Sequence, residues 1–258
     1  MSMSNYLEEA IINHLLRNIA YTPAATVYAG ILSASQDDGS IHTEFAGGSY
    51  ARQPATFDAS VNGSILSNAD IVFPTATADW GTARYIGIFD SAVAGNLLWW
   101  GQMRVGKFVA TSAIFTIEDG ELELDAGGAF SLYSRDGVLN MTLRNAAIPS
   151  PVNTWIGLGT ATSALNASIS EPSSGYARVQ VTSGTGWTVL GSGVLRLNSP
   201  TATFRSVGAD WGAMTDVGIF DAVSGGNLLF ALELDPARTI YDGDGMVFDP
   251  NSIIVRVE

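Results

Sequence analysis

Apolar side chains recur at helical spacing near the start of the chain. Ser4 stands before them and can cap a helix, while Glu8 and Glu9 occupy a first turn in which the helix dipole favours acids. One face of this helix carries Leu7, Ile11, Leu15 and Ile19. Pro23 ends the segment. The pattern predicts a short N-terminal α-helix with one apolar face.

After Pro23 the pattern changes to short apolar runs that are bounded by Gly, Asn and Asp. Apolar and polar residues alternate with a period of two, most clearly at Val27, Ala29 and Ile31. The predicted strands of the first half are 26–33, 50–57, 65–73, 84–89, 97–103, 108–117 and 121–124. About seven strands in roughly 115 residues are typical of an antiparallel β-sandwich.

The same succession of patterns occurs twice. The string Gly-Ile-Phe-Asp at 87–90 returns at 218–221, and Asp-Trp-Gly at 79–81 returns at 210–212, both 131 positions later. Tyr-Ala-Arg at 50–52 returns at 176–178, an offset of 126. We therefore expect an all-β chain of two tandem β-sandwich domains with the same fold, at 1–130 and 131–258, each long enough to bury its own core.

The second copy is expected to differ from the first in two places. Its leading helix looks degraded, because Gly137 precedes a helical pattern of only about two turns at 138–145. Pro-Thr-Ala-Thr recurs at 74–77 and 200–203 with the offset of 126, so the five additional residues are placed after it, at 204–208. Insertions of this kind belong in loops.

Composition excludes several classes of protein. The chain of 258 residues has 47% apolar residues, a mean hydropathy of +0.21, a net charge of −13 and no cysteine. Disulfides and thiolate sites are therefore excluded, and the acidic balance argues against binding to nucleic acid. Neither a secretory signal at the start nor an apolar run of the roughly 20 residues that span a membrane is found, so no membrane association is expected.

Arginines that recur in the two copies are expected to form structural ion pairs. A partly buried arginine usually pairs with a carboxylate of its own domain. We expect Arg52 to pair with Asp90 or Asp79. In the second copy, Arg178 is expected to pair with Asp221 or Asp210.

Trp99 and Trp100 are candidates for a contact surface. Adjacent strand residues point to opposite faces, so at least one of these tryptophans leaves the core face of its own sheet, and the second copy has Phe230-Ala231 instead. The apolar face of the N-terminal helix, at Leu7, Ile11 and Leu15, is a second candidate for contact with another subunit. Trp80 and Trp211 are expected to anchor turns onto the core.

Catalytic and metal-binding patterns are weak. The chain has two histidines, His14 and His42, which leaves little room for a Ser-His-Asp triad or a multi-histidine metal site. Alternating acids at Glu118, Glu121 and Glu123 are more typical of the wet face of a strand than of a glycosidase. We expect no enzyme activity, no metal and no cofactor.

Several strings of the first copy together resemble a bacteriophage family usually labelled tail fibre proteins. They are Ser-Asn-Tyr-Leu-Glu at 4–8, Gly-Gly-Ser-Tyr-Ala-Arg-Gln at 47–53, Phe-Pro-Thr-Ala-Thr-Ala-Asp-Trp-Gly at 73–81 and Gly-Ile-Phe-Asp at 87–90. The resemblance implies a non-enzymatic structural component of the virion, assembled in the host cytoplasm. It covers the first copy from about 4 to 125, while the second copy keeps only the landmarks above.

The leading hypothesis is a surface-displayed component of a tail or fibre assembly, in contact with other virion proteins and homo-oligomeric, with a trimer expected. A capsid decoration or head-appendage protein is the first alternative. A carbohydrate-binding module for host surface polysaccharide is the second, with Trp80, Trp99, Trp100 or Trp211 as its platform.

Overall fold

The computed structural model of the chain describes residues 1–36, 38–161, 167–191 and 193–257. The described residues of the first copy form β1 (Ser2–Met3), α1 (Asn5–Arg17), β2 (Val27–Gln36), β3 (Ile41–Glu44), β4 (Gln53–Ala55), β5 (Ser64–Leu66), β6 (Ile71–Val72), β7 (Gly81–Phe89), β8 (Leu97–Val109), β9 (Thr116–Ile117) and β10 (Glu123–Asp125). Those of the second form α2 (Leu132–Arg144), β11 (Asn153–Ala161), β12 (Ile169–Ser170), β13 (Val179–Thr182), β14 (Trp187–Gly191), β15 (Val194–Leu197), β16 (Ala202–Arg205), β17 (Gly212–Phe220), β18 (Leu228–Ile240), β19 (Gly245–Phe248) and β20 (Ile254–Arg256).

Each copy has one large antiparallel sheet and a layer of smaller ladders. The large sheet of the first copy has the order β1-β8-β7-β2-β3, with β4 added to β2, and its smaller ladders are β5·β10 and β6·β9. The second copy has the order β12-β11-β17-β18, with β13 added to β11, and the smaller sheets β14-β15-β20 and β16·β19. The chain is thus an all-β protein of two tandem antiparallel β-sandwich repeats that begins with a short helix.

The first helix begins and ends through local capping. The Ser4 side chain accepts a hydrogen bond from the Leu7 N–H at 3.3 Å, and Asn18 adopts the left-handed conformation (φ 55°) that closes the helix. Asn18 therefore ends α1 well before Pro23. Ile19, which the periodic pattern included in the apolar face, lies beyond the helix and is 50% exposed.

The second helix is as long as the first, so the expectation of a degraded helix at 138–145 is wrong. Both helices have 13 residues, and Ser131 caps α2 as Ser4 caps α1. Gly137 lies inside the helix, where a methyl group in its place would stand 2.9 Å from a side-chain carbon of Ile148. The glycine lets the following loop approach α2 closely, and packing outweighs its low helix propensity.

The additional residues of the second copy do not lie at 204–208, where the sequence comparison placed them. Phe204 stacks on Tyr176 with ring centroids 6.1 Å apart, as Phe73 stacks on Tyr50 at 6.1 Å. Phe204 therefore occupies the place of Phe73, 131 positions away, and the Pro-Thr-Ala-Thr match at 126 is a coincidence of a short string. The lengthening occurs earlier, between Arg178 and Phe204.

Each helix packs against strands of both copies. α1 packs on β8 of its own copy and on β14 and β15 of the second copy, while α2 packs on β18 of its own copy and on β5 and β10 of the first. On α2, the Asp136 carboxylate accepts the Gly63 N–H at 2.8 Å and Asn140 Oδ1 accepts the Ser60 N–H at 3.1 Å. Each helix thus covers the smaller strands of the other copy.

The hydrophobic core is consequently continuous through both copies, which corrects the expectation of a separate core in each. One cluster of buried side chains contains Met3 and Trp99 from the first copy and Phe130 and Phe230 from the second. These two pairs occupy equivalent positions, since Met3 pairs with Trp99 in a strand ladder and Phe130 forms a bridge with Phe230. The chain folds as two similar halves around a shared interior.

Candidate functional site

Arg52 lies at the centre of a polar cluster on the first copy. Its guanidinium donates to both carboxylate oxygens of Glu44, at 2.8 and 2.7 Å, and to the carbonyl oxygens of Ser91 and Ala94, at 2.7 and 2.6 Å. It also lies over the Phe89 ring, with its central carbon 3.4 Å from the ring centroid. The Arg52 side chain is 8% exposed, so its cation is nearly buried, and four of its five N–H donors have acceptors.

The second copy repeats this cluster. Arg178 donates to the Glu171 oxygens at 2.9 and 2.5 Å and to the carbonyl oxygens of Ala222 and Gly225 at 2.7 and 2.8 Å. Its central carbon stands 3.4 Å from the Phe220 ring centroid. Arg52 therefore links β3 to the hairpin loop that follows β7. Arg178 links the segment after β12 to the hairpin loop that follows β17.

The arginines form ion pairs, but the expected acidic partners are wrong. Asp90 instead accepts the backbone and side-chain N–H groups of Asn96, at 2.7 and 2.8 Å, and Asp221 binds Asn227 in the same way, at 2.6 and 2.7 Å. Asp79 accepts the N–H and O–H of Thr111, and Asp210 accepts the N–H of Asp242. These acids close turns, because backbone donors lie nearer to their short side chains than the guanidinium does.

The true partners were missed although the sequence contains a signal for them. Glu44 and Glu171 are 127 positions apart, which is also the offset of Tyr-Ala-Gly at 28–30 and Trp-Ile-Gly at 155–157. The arginines differ by 126, so the glutamates stand eight and seven residues before them and no fixed spacing links the pair. The two glutamates correspond to each other only when the offset between the copies is allowed to differ from one segment to the next.

A tyrosine completes each cluster. The Tyr50 hydroxyl donates to Glu44 at 2.7 Å and accepts the Ile31 N–H at 2.9 Å, and the Tyr176 hydroxyl relates in the same way to Glu171 and to the Leu158 N–H, both at 2.7 Å. Burial, followed by the hydrogen bond to the glutamate, raises the pKa of each tyrosine strongly. Both phenols are therefore locked in the neutral form as hydrogen-bond donors.

The predicted contact residues of α1 lie in the interior, so the expectation that they bind another subunit is wrong. Leu7, Ile11 and Leu15 are each 0% exposed. Trp99 is also 0% exposed, and its indole N–H donates to Thr142 of α2 at 3.1 Å. The apolar face that the sequence reveals is used between the two copies of one chain.

Trp100 points to the other face of the sheet and stays half-buried. Its ring lies 6.0 Å from that of Tyr85, beside a small cluster formed by Leu32, Phe89 and Leu97. Trp100 also contributes to the wall of an open groove of about 980 Å³, which runs along β8 on the first copy. Of the predicted contact residues, Trp100 alone therefore borders a surface that another molecule can reach.

Trp80 and Trp211 anchor turns, as expected. The Trp80 indole donates to the Gly48 carbonyl at 2.7 Å and the Trp211 indole to the Ser174 carbonyl at 3.0 Å. Each ring meets a cluster tyrosine edge-on, Tyr50 at 5.3 Å and Tyr176 at 5.4 Å between centroids. Trp80 is 9% exposed, while Trp211 is partly buried.

The described residues contain no group of three or more histidine, cysteine or acidic side chains that could hold a metal ion. Within the same residues, neither helix is long and apolar enough to cross a membrane. The buried His14 side chain has two structural partners. It accepts the Tyr21 N–H through Nδ1 at 3.1 Å and meets the Ile148 carbonyl through Nε2 at 3.0 Å.

Comparison with protein families accounts for the duplication. The model of the family described as podophage GP4 fiber I protein gp80 matches the chain twice, at residues 2–125 and 129–256. The two matches coincide with the two sandwich copies, including both helices. None of the curated proteins matches the chain. The chain belongs to this podophage fibre family and carries two tandem copies of its domain.

Proposed function

We propose that the chain is a non-enzymatic building block of a podophage tail or fibre, displayed on the outside of the particle and bound to other virion proteins. The observation that carries this proposal is the match of a phage fibre family to both halves of the chain, which supports a structural role in the virion. Display at the surface and the lack of catalysis go beyond that match.

The use of the polar residues supports a structural role. The arginine, glutamate and tyrosine of each cluster bond to one another and to backbone groups, and they lock strands to a hairpin loop. A catalytic acid or base needs an accessible position and a perturbed protonation equilibrium that suits its task. Here the tyrosines are locked in the neutral form by buried bonds, which suits stability.

Contact with other virion proteins is supported by apolar side chains exposed on the first copy. Phe108 on β8 is 58% exposed and Val105 is 75% exposed. The second copy has Thr239 and Pro236 at these positions, 131 residues later. A side chain that is large and apolar in one copy only favours a partner surface on that copy.

We also propose that the chain forms a homo-oligomer, and a trimer is the expected form. Since α1 is buried inside the chain, the interface would be formed by another surface, and the exposed apolar side chains Val105 and Phe108 of β8 are the best candidates. Light scattering during size-exclusion chromatography measures the number of chains. A particle with the mass of one chain at high concentration would remove this part of the proposal.

The experiment that tests the proposed function is electron microscopy of intact particles labelled with an antibody against this chain. We expect label at the tail or along its fibres. Label spread over the capsid facets would contradict this and favour a decoration protein, while label that appears only after the particles are disrupted would contradict surface display.

A further inference from the structure

The groove of the first copy has an apolar floor and charged rims. It encloses about 980 Å³ between β8 on one side and β9, β10 and the segment before β10 on the other. Its floor is formed by Ile86, Met103, Phe115, Ile117 and Leu122. A concave apolar surface with a few convergent polar groups is the usual form of a ligand site.

Two cations stand on the β8 rim without an acidic partner. Arg104 and Lys107 are exposed, and neither forms a salt bridge within the described ranges, where the ion pairs are those of Arg52 and Arg178. Lys107 extends over the groove, with Nζ 5.1 Å from the Phe115 ring centroid. Exposed cations without an acidic partner can pair directly with an anionic group of a ligand.

The second copy shows that the Arg104 cation is not required by the fold. Arg104 corresponds to Asp235, and Lys107 corresponds to Arg238, each 131 positions later. Arg84, which lies across the ladder beside Gly106, corresponds to Thr215. The same backbone thus folds with Thr215, Asp235 and Arg238, which carry no net charge together. The excess of positive charge at Arg84, Arg104 and Lys107 is therefore a property of the first copy.

The opposite rim supplies hydrogen-bond acceptors. Glu121 and Glu123 line it from the segment before β10 and from β10 itself, and both are exposed. Gln102 on β8 and Thr116 on β9 add groups that both donate and accept. Cations, acceptors and an apolar floor together suit a ligand with carboxylates, hydroxyls and apolar ring faces.

The backbone of the rim argues against a peptide strand as the ligand. Ala83 pairs with Lys107 and Tyr85 pairs with Gln102, so residues 103–106 form a wide bulge opposite Arg84. An added peptide strand gains its affinity from a regular row of backbone N–H and C=O groups, which a bulge interrupts. A polysaccharide needs only side-chain donors, acceptors and apolar surface.

We propose that this groove binds an anionic polysaccharide, a binding activity beyond the structural role. Arg104 and Lys107 hold the sugar carboxylates through charge-assisted hydrogen bonds. Gln102, Glu121 and Glu123 bond to sugar hydroxyls, and the apolar floor lies under the ring faces. The biological use of this binding rests on the proposed display at the particle surface. The binding itself is a property of the isolated protein and can be tested without the particle.

Isothermal titration calorimetry of the full chain with oligogalacturonate tests the proposal. The matched ligand is the same oligosaccharide with its carboxylates methyl-esterified, which removes the charge and keeps the rings and hydroxyls. We expect binding of the acidic form and at least about tenfold weaker binding of the ester. The double variant Arg104→Gln, Lys107→Gln should lose at least about tenfold in affinity for the acidic form, because both charge-assisted contacts are removed.

Arg238→Gln is the matched control, since it removes the cation that corresponds to Lys107 on the second copy and should leave the affinity unchanged. Poly-L-glutamate tests the peptide alternative and should bind more weakly than oligogalacturonate. The proposal is overturned if oligogalacturonate does not bind, if the double variant binds as tightly as the natural chain, or if poly-L-glutamate binds as well. Failure here would leave the labelling result on intact particles unaffected.

Discussion

The indole N–H of Trp99 in the first copy donates a hydrogen bond to the hydroxyl oxygen of Thr142 on the helix of the second copy, at a distance of 3.1 Å. Both residues are 0% exposed. The bond joins the edge region of one large sheet to the helix that belongs with the other. This contact is part of the packing in which the helix of each copy covers strands of the other copy, so that the two copies share a core.

Trp99→Phe is expected to lower the free energy of unfolding by about 1 to 3 kcal/mol, since the indole hydrogen bond is lost and a small void forms. Thr142 keeps its bond to the Val138 carbonyl at 2.8 Å, which limits the loss. Urea unfolding followed by circular dichroism measures it. Trp100→Phe is the matched control and should cost less, because the Trp100 indole N–H has no hydrogen-bond partner among the described residues.

Glu44→Ala is expected to destabilise the chain by about 3 kcal/mol, because it leaves the nearly buried Arg52 guanidinium without a counterion. The Tyr50 hydroxyl also loses its acceptor. Glu171→Ala should have a similar effect, since the second cluster has the same geometry. Urea denaturation curves for the two variants give the comparison.

Asp79→Asn serves as the control for the arginine clusters. Hydrogen bonds from the Thr111 N–H, and then from its hydroxyl, lower the pKa of Asp79, which lies on the surface and does not contact Arg52. This variant should therefore cost much less than Glu44→Ala. An equal or larger loss would show that the arginine depends on Asp79 after all.

Ser131→Ala is expected to lower stability by about 1 kcal/mol through loss of the α2 cap. Ser4→Ala should cost a similar amount, since Ser4 caps α1 in the same way. Each serine also donates to a carbonyl at the start of a long strand, Ser4 to Leu97 and Ser131 to Leu228. Thermal melts of the two variants check the pair. If Ser131→Ala had no effect while Ser4→Ala destabilised the chain, α2 would begin later than Leu132, as the sequence alone suggested.

Acidification is expected to weaken the fold through His14. Burial lowers the pKa of His14 below its ordinary value of 6.5, although the bond with the Ile148 carbonyl opposes this. The unfolded chain therefore takes up the proton more readily as the pH falls below 6.5, so the contribution of His14 is fully present above that pH and is lost below it. Urea midpoints at pH 7.5 and at progressively lower pH measure the loss.

The variant His14→Gln should show a smaller loss of stability on acidification below pH 6.5 than the natural chain. His42→Gln is the matched control, because His42 lies on β3 and is only partly buried. The same flattening in both variants would contradict a specific role for His14.

The sequence was sufficient for the parts of the fold that local patterns determine. The cap at Ser4 and the apolar spacing of Leu7, Ile11 and Leu15 predicted α1, and the repeated strings revealed two copies. Period-two alternation predicted the antiparallel sandwich. These features depend on residues close together in the chain.

The failures concern contacts between distant segments. The apolar face of α1 shows that something covers it, but its spacing does not tell whether the cover is another subunit or the second copy. Arg52 needed an acid, and Asp79 and Asp90 were nearer to repeated landmarks than Glu44 was. The sequence predicts too short an α2 because it shows the low helix propensity of Gly137. It does not show the close approach of Ile148, which leaves no room for a larger residue at this point of the helix.

The central claim is that the two copies fold as one cooperative unit around a shared core, and differential scanning calorimetry of the full chain tests it most directly. Two independently folded domains melt in two transitions, whereas one cooperative unit has equal calorimetric and van't Hoff enthalpies. We predict a single transition with equal enthalpies. Two resolved transitions, each with about half of the total enthalpy, would contradict the shared core.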